Sequence, residues 1–128
     1  MRLLLDTHVL LWALGNPERL DSETRAALEQ TENDVFFSAA SIWEIAIKAR
    51  LGRADFDRRS GDVARCARAT GFVELPVLSD AAERVESLPL HHRDPFDRML
   101  IATALVEGIA LIGSDQAFKA YKGLEVIW

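Results

Sequence analysis

The chain reads as an α/β domain in which a short, mainly parallel central sheet lies between layers of helix, a three-layer α/β/α sandwich spanning residues 1–128. Two features predict it. Apolar runs of strand length, at 3–5, 35–37, 72–75, 109–112 and 124–127, alternate with longer stretches that carry helix signals. Three of these runs are almost wholly apolar, the pattern of strands covered on both faces. With 128 residues, 49% of them apolar and 27% charged, the composition is that of an ordinary globular domain with one core.

The elements follow in order. Leu3-Leu4-Leu5 is the first strand, and a helix through Val9, Leu10, Leu11 and Trp12 ends at Gly15-Asn16-Pro17. Asp21 is an N-cap for a second helix. Val35-Phe36-Phe37 is the next strand, and Ser38 caps a helix from Ala39 to Leu51 that stops at Gly52. Asp55 to Ser60 is predicted to be a mobile surface segment. Phe72 to Leu75 is the third strand. Asp94-Pro95 opens a helix from Phe96 to Glu107, with proline in the first turn and Gly108 just past the end. Ile109 to Ile112 and Leu124 to Ile127 are the last strands, separated by a short helix, Gln116 to Tyr121, that Asp115 caps. No internal repeat, low-complexity segment or linker interrupts the series.

Several function classes are excluded or disfavoured. A lone cysteine, Cys66, permits no intrachain disulfide and fits a reducing cytoplasm, which is the expected location. Asp6 and His8 break the apolar start, and no stretch approaches the roughly 18 apolar residues that span a bilayer. No H-x-x-x-H or Cys/His spacing suggests zinc, and no G-x-G-x-x-G, P-loop or G-x-S-x-G motif is present. Net charge is −5, which argues against a domain that coats nucleic acid nonspecifically. The charge is uneven, however. Residues 48–68 hold seven basic and three acidic side chains, a surplus of four that leaves the remainder of the chain at −9.

In a parallel sheet the ligand site lies beyond the carboxyl ends of the strands. Asp6 ends the first strand and Asp115 follows the fourth. The helix entering the fourth strand starts at the same edge and carries Asp94 and Asp97, while Glu44 lies in the helix after the second strand. Four to five carboxylates therefore converge, and like charges so close favour a hard divalent cation such as Mg²⁺ or Mn²⁺. Each residue also has a purely structural reading. Asp6, Asp94 and Asp115 fit helix N-caps, Asp97 fits a first helical turn, and Glu44 fits an i,i+4 pair with Lys48. His8 reads as a packing residue, and His91-His92 as part of the loop before the helix.

The blocks Leu3-Leu4-Leu5-Asp6-Thr7-His8, Ser41-Ile42-Trp43-Glu44-Ile45, Arg93-Asp94-Pro95-Phe96-Asp97-Arg98-Met99-Leu100-Ile101-Ala102 and Gly113-Ser114-Asp115 resemble, in order and over essentially the whole chain, PIN-domain ribonucleases. Within that family they look most like VapC-type toxins of type II toxin–antitoxin modules. The resemblance implies a catalytic, metal-binding quartet at Asp6, Glu44, Asp97 and Asp115, and Mg²⁺- or Mn²⁺-dependent cleavage of RNA. It also implies a homodimer, a cognate antitoxin that blocks the site, and a hetero-oligomer of the two. Asp94 belongs to the third block. Thr7 and Ser114 are candidates to orient ligands or water through their hydroxyls.

Arg93, Arg98 and Lys48, with the basic stretch 48–68, are candidates to guide an RNA backbone, although that stretch also reads as a solvated helical face. Two other functions remain open from the residues. One is a phosphotransfer enzyme using Asp6, for which the expected second aspartate is replaced by His8. The other is a non-catalytic module whose acidic pocket binds an arginine-rich partner.

Overall fold

The computed structural model describes residues 1–128. Its strands are β1 (Arg2–Leu5), β2 (Asp34–Ser38), β3 (Val73–Leu75), β4 (Ala110–Ile112) and β5 (Val126–Ile127). The helices are α1 (Thr7–Gly15), α2 (Ser22–Glu29), α3 (Ala39–Arg50), α4 (Ser60–Thr70), α5 (Ser79–Arg84) and α6 (Pro95–Glu107). All strand pairings are parallel and the sheet order is β3-β2-β1-β4-β5. The chain winds outward from β1 through β2 to β3, then returns to place β4 on the other side of β1. The strand order thus reverses between β1 and β4, where an open parallel sheet forms its binding crevice.

The pleat of β1 divides the core. Leu3 and Leu5 face one layer, where they meet Val9, Leu10, Phe37, Ile45 and Val63. Leu4 faces the other, with Leu100, Ile101, Leu111 and Phe118. All three leucines are fully buried, so β1 is the shared centre of both layers. The register, Leu3 opposite Val35 and Ala110, and Leu5 opposite Ile112, keeps like faces aligned across the sheet.

The expected elements are present, with boundaries that differ for a physical reason. Phe72 and Ile109 lie outside their strands because their N–H groups close the preceding helices, bonding the carbonyls of Ala67 and Ala104. Gly71 and Gly108 take the left-handed conformation (φ 103° and 66°) that turns each helix into its strand. The 55–60 segment also differs from expectation. Phe56 is 6% exposed and joins the core beneath α1, α3 and α4, so the segment is anchored by its own side chain. The stretch between β3 and α6, for which the sequence carried no clear signal, contains α5 and a 3-10 turn at Val85–Ser87.

Candidate active site

The helix caps assemble one cleft. Asp6 follows the last residue of β1, and its own N–H still pairs with the Ile112 carbonyl, which places it between β1 and β4. Its Oδ1 accepts the Val9 N–H at 2.8 Å, capping α1. Asp94 caps α6 by accepting the Phe96 and Asp97 N–H groups, and Asp115 accepts the Ala117 N–H at 2.9 Å. The structural and functional readings of these aspartates are therefore compatible. In Asp6 and Asp115 the cap engages Oδ1 and both residues line the cleft, whereas Asp94 caps α6 without being part of its lining. Asp6, Asp97, Ser114 and Asp115 line that cleft together with His8, Trp12 and Asp55.

Packing around Asp6 is tight. A Cβ on Gly113 would lie 2.4 Å from the Phe118 ring and 2.8 Å from Asp6 Oδ2. Glycine here is a matter of space: it lets the β4 backbone pass directly beside the carboxylate.

Glu44 is 2% exposed, deep on α3, and both of its oxygens have partners. Thr7 donates its hydroxyl to Oε1 at 2.6 Å, with Ser41 Oγ 3.0 Å from the same hydroxyl, and the Lys48 ammonium pairs with Oε2. The i,i+4 pair and the proximity to the cluster both hold, since the Glu44 charge acts on Asp6 and Asp97. Thr7, expected to orient ligands or water, is committed to Glu44.

Two carboxyls of the cleft are raised, chiefly by burial and then by neighbouring like charges, and the third is lowered. Burial raises Asp6 from 3.8 to about 7 against the opposing effect of the Val9 N–H, and Asp97, Glu44 and Asp115 push it the same way. Asp97 also rises to about 7, first by burial, then by the Asp94 charge, with His92 opposing and Glu44 and Asp115 adding. Asp115, largely exposed, is held below the usual carboxylate range by the Ala117 N–H and by His92. No lysine or arginine pairs with Asp6, Asp97 or Asp115. An oxygen-rich donor set of this kind, with no lysine or arginine among it, fits a hard divalent cation.

Two expected RNA-guiding residues are corrected. Arg98 is 9% exposed and points into the protein, where its guanidinium donates to the carbonyls of Val85, Leu88, Pro89 and His92. Both of its terminal nitrogens are engaged there rather than at the surface. Lys48 is taken up by Glu44 and lies over the rings of Phe56 and Phe96, so it balances a buried carboxylate. Arg93 is exposed at the entrance to α6.

The residue that sequence reasoning missed is His92. Its Nε2 lies 2.8 Å from Asp115 Oδ2 and 3.0 Å from Asp97 Oδ2, between the two carboxylates. A histidine two positions before the capping Asp94 was the available signal. Nothing local distinguishes it from its neighbour His91, which instead packs edge-on against Tyr121.

Comparison with known proteins agrees with this arrangement. The family model described as PIN domain matches residues 3–124. Ribonuclease VapC22 of Mycobacterium tuberculosis (strain ATCC 25618 / H37Rv) is 28% identical over 123 residues, covering 93% of this chain and 91% of that protein. Among solved structures, VapBC2 from Rickettsia felis bound to a DNA fragment from its promoter superposes with a TM-score of 0.75 at 12% identity, over 99% of this chain and 98% of that one. DNA-bound VapBC from Salmonella typhimurium superposes with a TM-score of 0.72 at 15% identity, over 99% and 97% of the two chains. At these identities both likenesses are of fold. With the family match running from the first strand to just before the last, and three of its acids lining one cleft at the β1–β4 crevice, the chain belongs to the PIN-domain family.

Proposed function

We propose that this protein is a divalent-metal-dependent ribonuclease that acts as the toxin of a type II toxin–antitoxin module. The observation that carries the reading is the carboxylate cleft of Asp6, Asp97 and Asp115, free of lysine and arginine pairing, in a PIN-family chain similar along nearly its whole length to a protein named a ribonuclease.

Asp6, Asp97 and Asp115 would hold the ion, Mg²⁺ or Mn²⁺, with Glu44 contributing its charge from behind. A divalent ion bound there supplies positive charge to the scissile phosphate and lowers the pKa of the attacking water. The chain's own residues do the rest. Asp6 and Asp97 need their protons removed to act as ligands, and their raised pKa values make that a step near neutrality. Val9 and Ala117 N–H groups fix the orientation of Asp6 and Asp115. Ser114, on the cleft wall, offers a hydroxyl to water or phosphate oxygen.

The route for RNA follows from the surface. His8, Trp12 and Asp55 belong both to the acid cleft and to an adjoining hollow that includes Arg19 and Arg58. Arg58 in turn borders a third hollow with Arg50, Arg53 and Arg59. The basic stretch 48–68 is thereby continuous with the cleft, and phosphate contacts along it would set the strand's position. A cognate antitoxin, supported by the VapBC assemblies with which the fold superposes, and a homodimer, which the family resemblance implies, complete the reading. No helix is long and apolar enough to cross a membrane. Action in the cytoplasm, where RNA is the substrate, is part of the proposal.

The test is cleavage of a labelled RNA mixture by the purified protein with Mg²⁺, with Mn²⁺ and with excess chelator. Cleavage should require metal and be lost in Asp6→Asn and Asp97→Asn, because asparagine keeps the cap of Asp6 but not the negative charge. Cleavage that persists in chelator, or in both variants, overturns the proposal. Tight binding of an arginine-rich partner without cleavage under any metal would favour the acidic-pocket module instead.

A further inference from the structure

We propose that His92 is a positioning residue that holds Asp97 and Asp115 through an Nε2–H donor, and that it is not itself a metal ligand; the inference rests on the metal-dependent reading above. By distance alone it looks like a ligand, since its ring nitrogen and one oxygen each of Asp97 and Asp115 lie within 4.8 Å of one another. The hydrogen bonds around the ring decide otherwise. The Asp94 backbone N–H donates to His92 Nδ1 at 3.1 Å. A backbone N–H only donates, so Nδ1 presents its lone pair and the ring proton sits on Nε2. That proton points between Asp115 and Asp97, at 2.8 and 3.0 Å. A metal-ligating histidine has the reverse arrangement, donating its distal N–H to an acceptor while the other nitrogen binds the ion. To ligate here, His92 would have to give up the Asp94 bond at the very cap that starts α6.

The rest of the loop is built to keep the ring in place. The His92 N–H donates to the Tyr121 hydroxyl at 2.9 Å, and that hydroxyl donates to the Pro89 carbonyl, also at 2.9 Å. Arg98 donates to the carbonyls of Val85, Leu88, Pro89 and His92, tying the whole 85–92 connection to α6. The ring itself stacks on Phe118, with centroids 5.7 Å apart. The cation adjacent to Asp97 in sequence is therefore turned away from it. Its contribution to the cleft passes through the loop to the His92 Nε2–H donor. Such a donor holds one oxygen of each carboxylate in place.

Two measurements test this. Long-range proton–nitrogen NMR of the imidazole in the full-length protein should find the proton on Nε2, both without metal and with Mg²⁺ bound. A proton on Nδ1 in either state overturns the proposal. Calorimetric titration with Mn²⁺ should give affinity weakened about 10- to 100-fold in His92→Ala. Tyr121→Phe, which keeps the ring and removes only the hydroxyl, should weaken it in the same direction. Partial recovery is expected in His92→Gln, which restores an N–H donor. Unchanged Mn²⁺ affinity in His92→Ala defeats the positioning role alone. Failure of the wild-type protein to take up Mn²⁺ defeats the metal-dependent reading and this inference with it.

Discussion

The Thr7 hydroxyl donates to Glu44 Oε1 at 2.6 Å, joining the first turn of α1 to the middle of α3 inside the protein. One bond links the residue after Asp6 to the carboxylate behind the cleft. Thr7→Val keeps the shape and removes the donor, leaving a buried oxygen short of a partner at a cost of about 1–3 kcal/mol. Thermal unfolding should show a drop of several degrees, and Thr7→Ser should recover most of it. A Thr7→Val protein as stable as wild type would mean the bond contributes nothing net.

Stability should depend on pH in a direction opposite to that of most salt-bridged aspartates. Asp6 and Asp97 titrate near 7 in the fold, against 3.8 for the ordinary group. Between those values the folded state binds more protons than the unfolded one. The associated stability is complete below about pH 4 and is lost as pH rises through 7, by an amount on the order of a few kcal/mol. In chelator the melting temperature should fall between pH 5 and pH 8. Mg²⁺ should restore it, with a larger gain at pH 8 than at pH 5. A flat profile in chelator would remove the premise that these carboxyls are strained.

Asp6→Asn separates the cap from the charge. The amide oxygen still accepts the Val9 N–H, while the repulsion from Asp97, Glu44 and Asp115 disappears. At pH 8 without metal the variant should melt higher than wild type, and it should gain less from Mg²⁺. A lower melting temperature would show that the cap depends on the charge of Asp6.

Gly113→Ala tests the closeness of β4 to the site. The new methyl collides with Phe118 and Asp6 Oδ2, so a destabilisation of about 1–3 kcal/mol is expected. The Mg²⁺-induced rise in melting temperature should shrink as well, because the displaced carboxylate is a candidate ligand. Loss of stability with an undiminished Mg²⁺ effect would place the adjustment at Phe118 alone.

Phe56→Ala should be expensive for a loop residue, about 3–5 kcal/mol by urea unfolding, because the ring is part of the core. A loss below about 1 kcal/mol would restore the view of 55–60 as a free surface segment.

The sequence by itself determined the scaffold and the edge at which the acids meet. Apolar runs at strand length, Ser38, Asp21 and Asp94 as caps, and Gly108 as a stop are local signals, and local hydrogen bonds realise them. From a parallel sheet it then follows that Asp6, Asp97 and Asp115 share one end. Only the tertiary structure decided which way the long polar side chains turn. Arg98 and Arg93 stand five residues apart around one cap, yet one serves the 85–92 loop and the other faces water. Lys48 turns to Glu44 on its own helix, and His92 rather than His91 enters the cleft. The choice between those two histidines depends on Tyr121, Asp115 and Phe118, 23 or more residues further along the chain. A flexible side chain follows the partners that folding brings to it, and no periodicity or capping rule encodes where those distant partners will be.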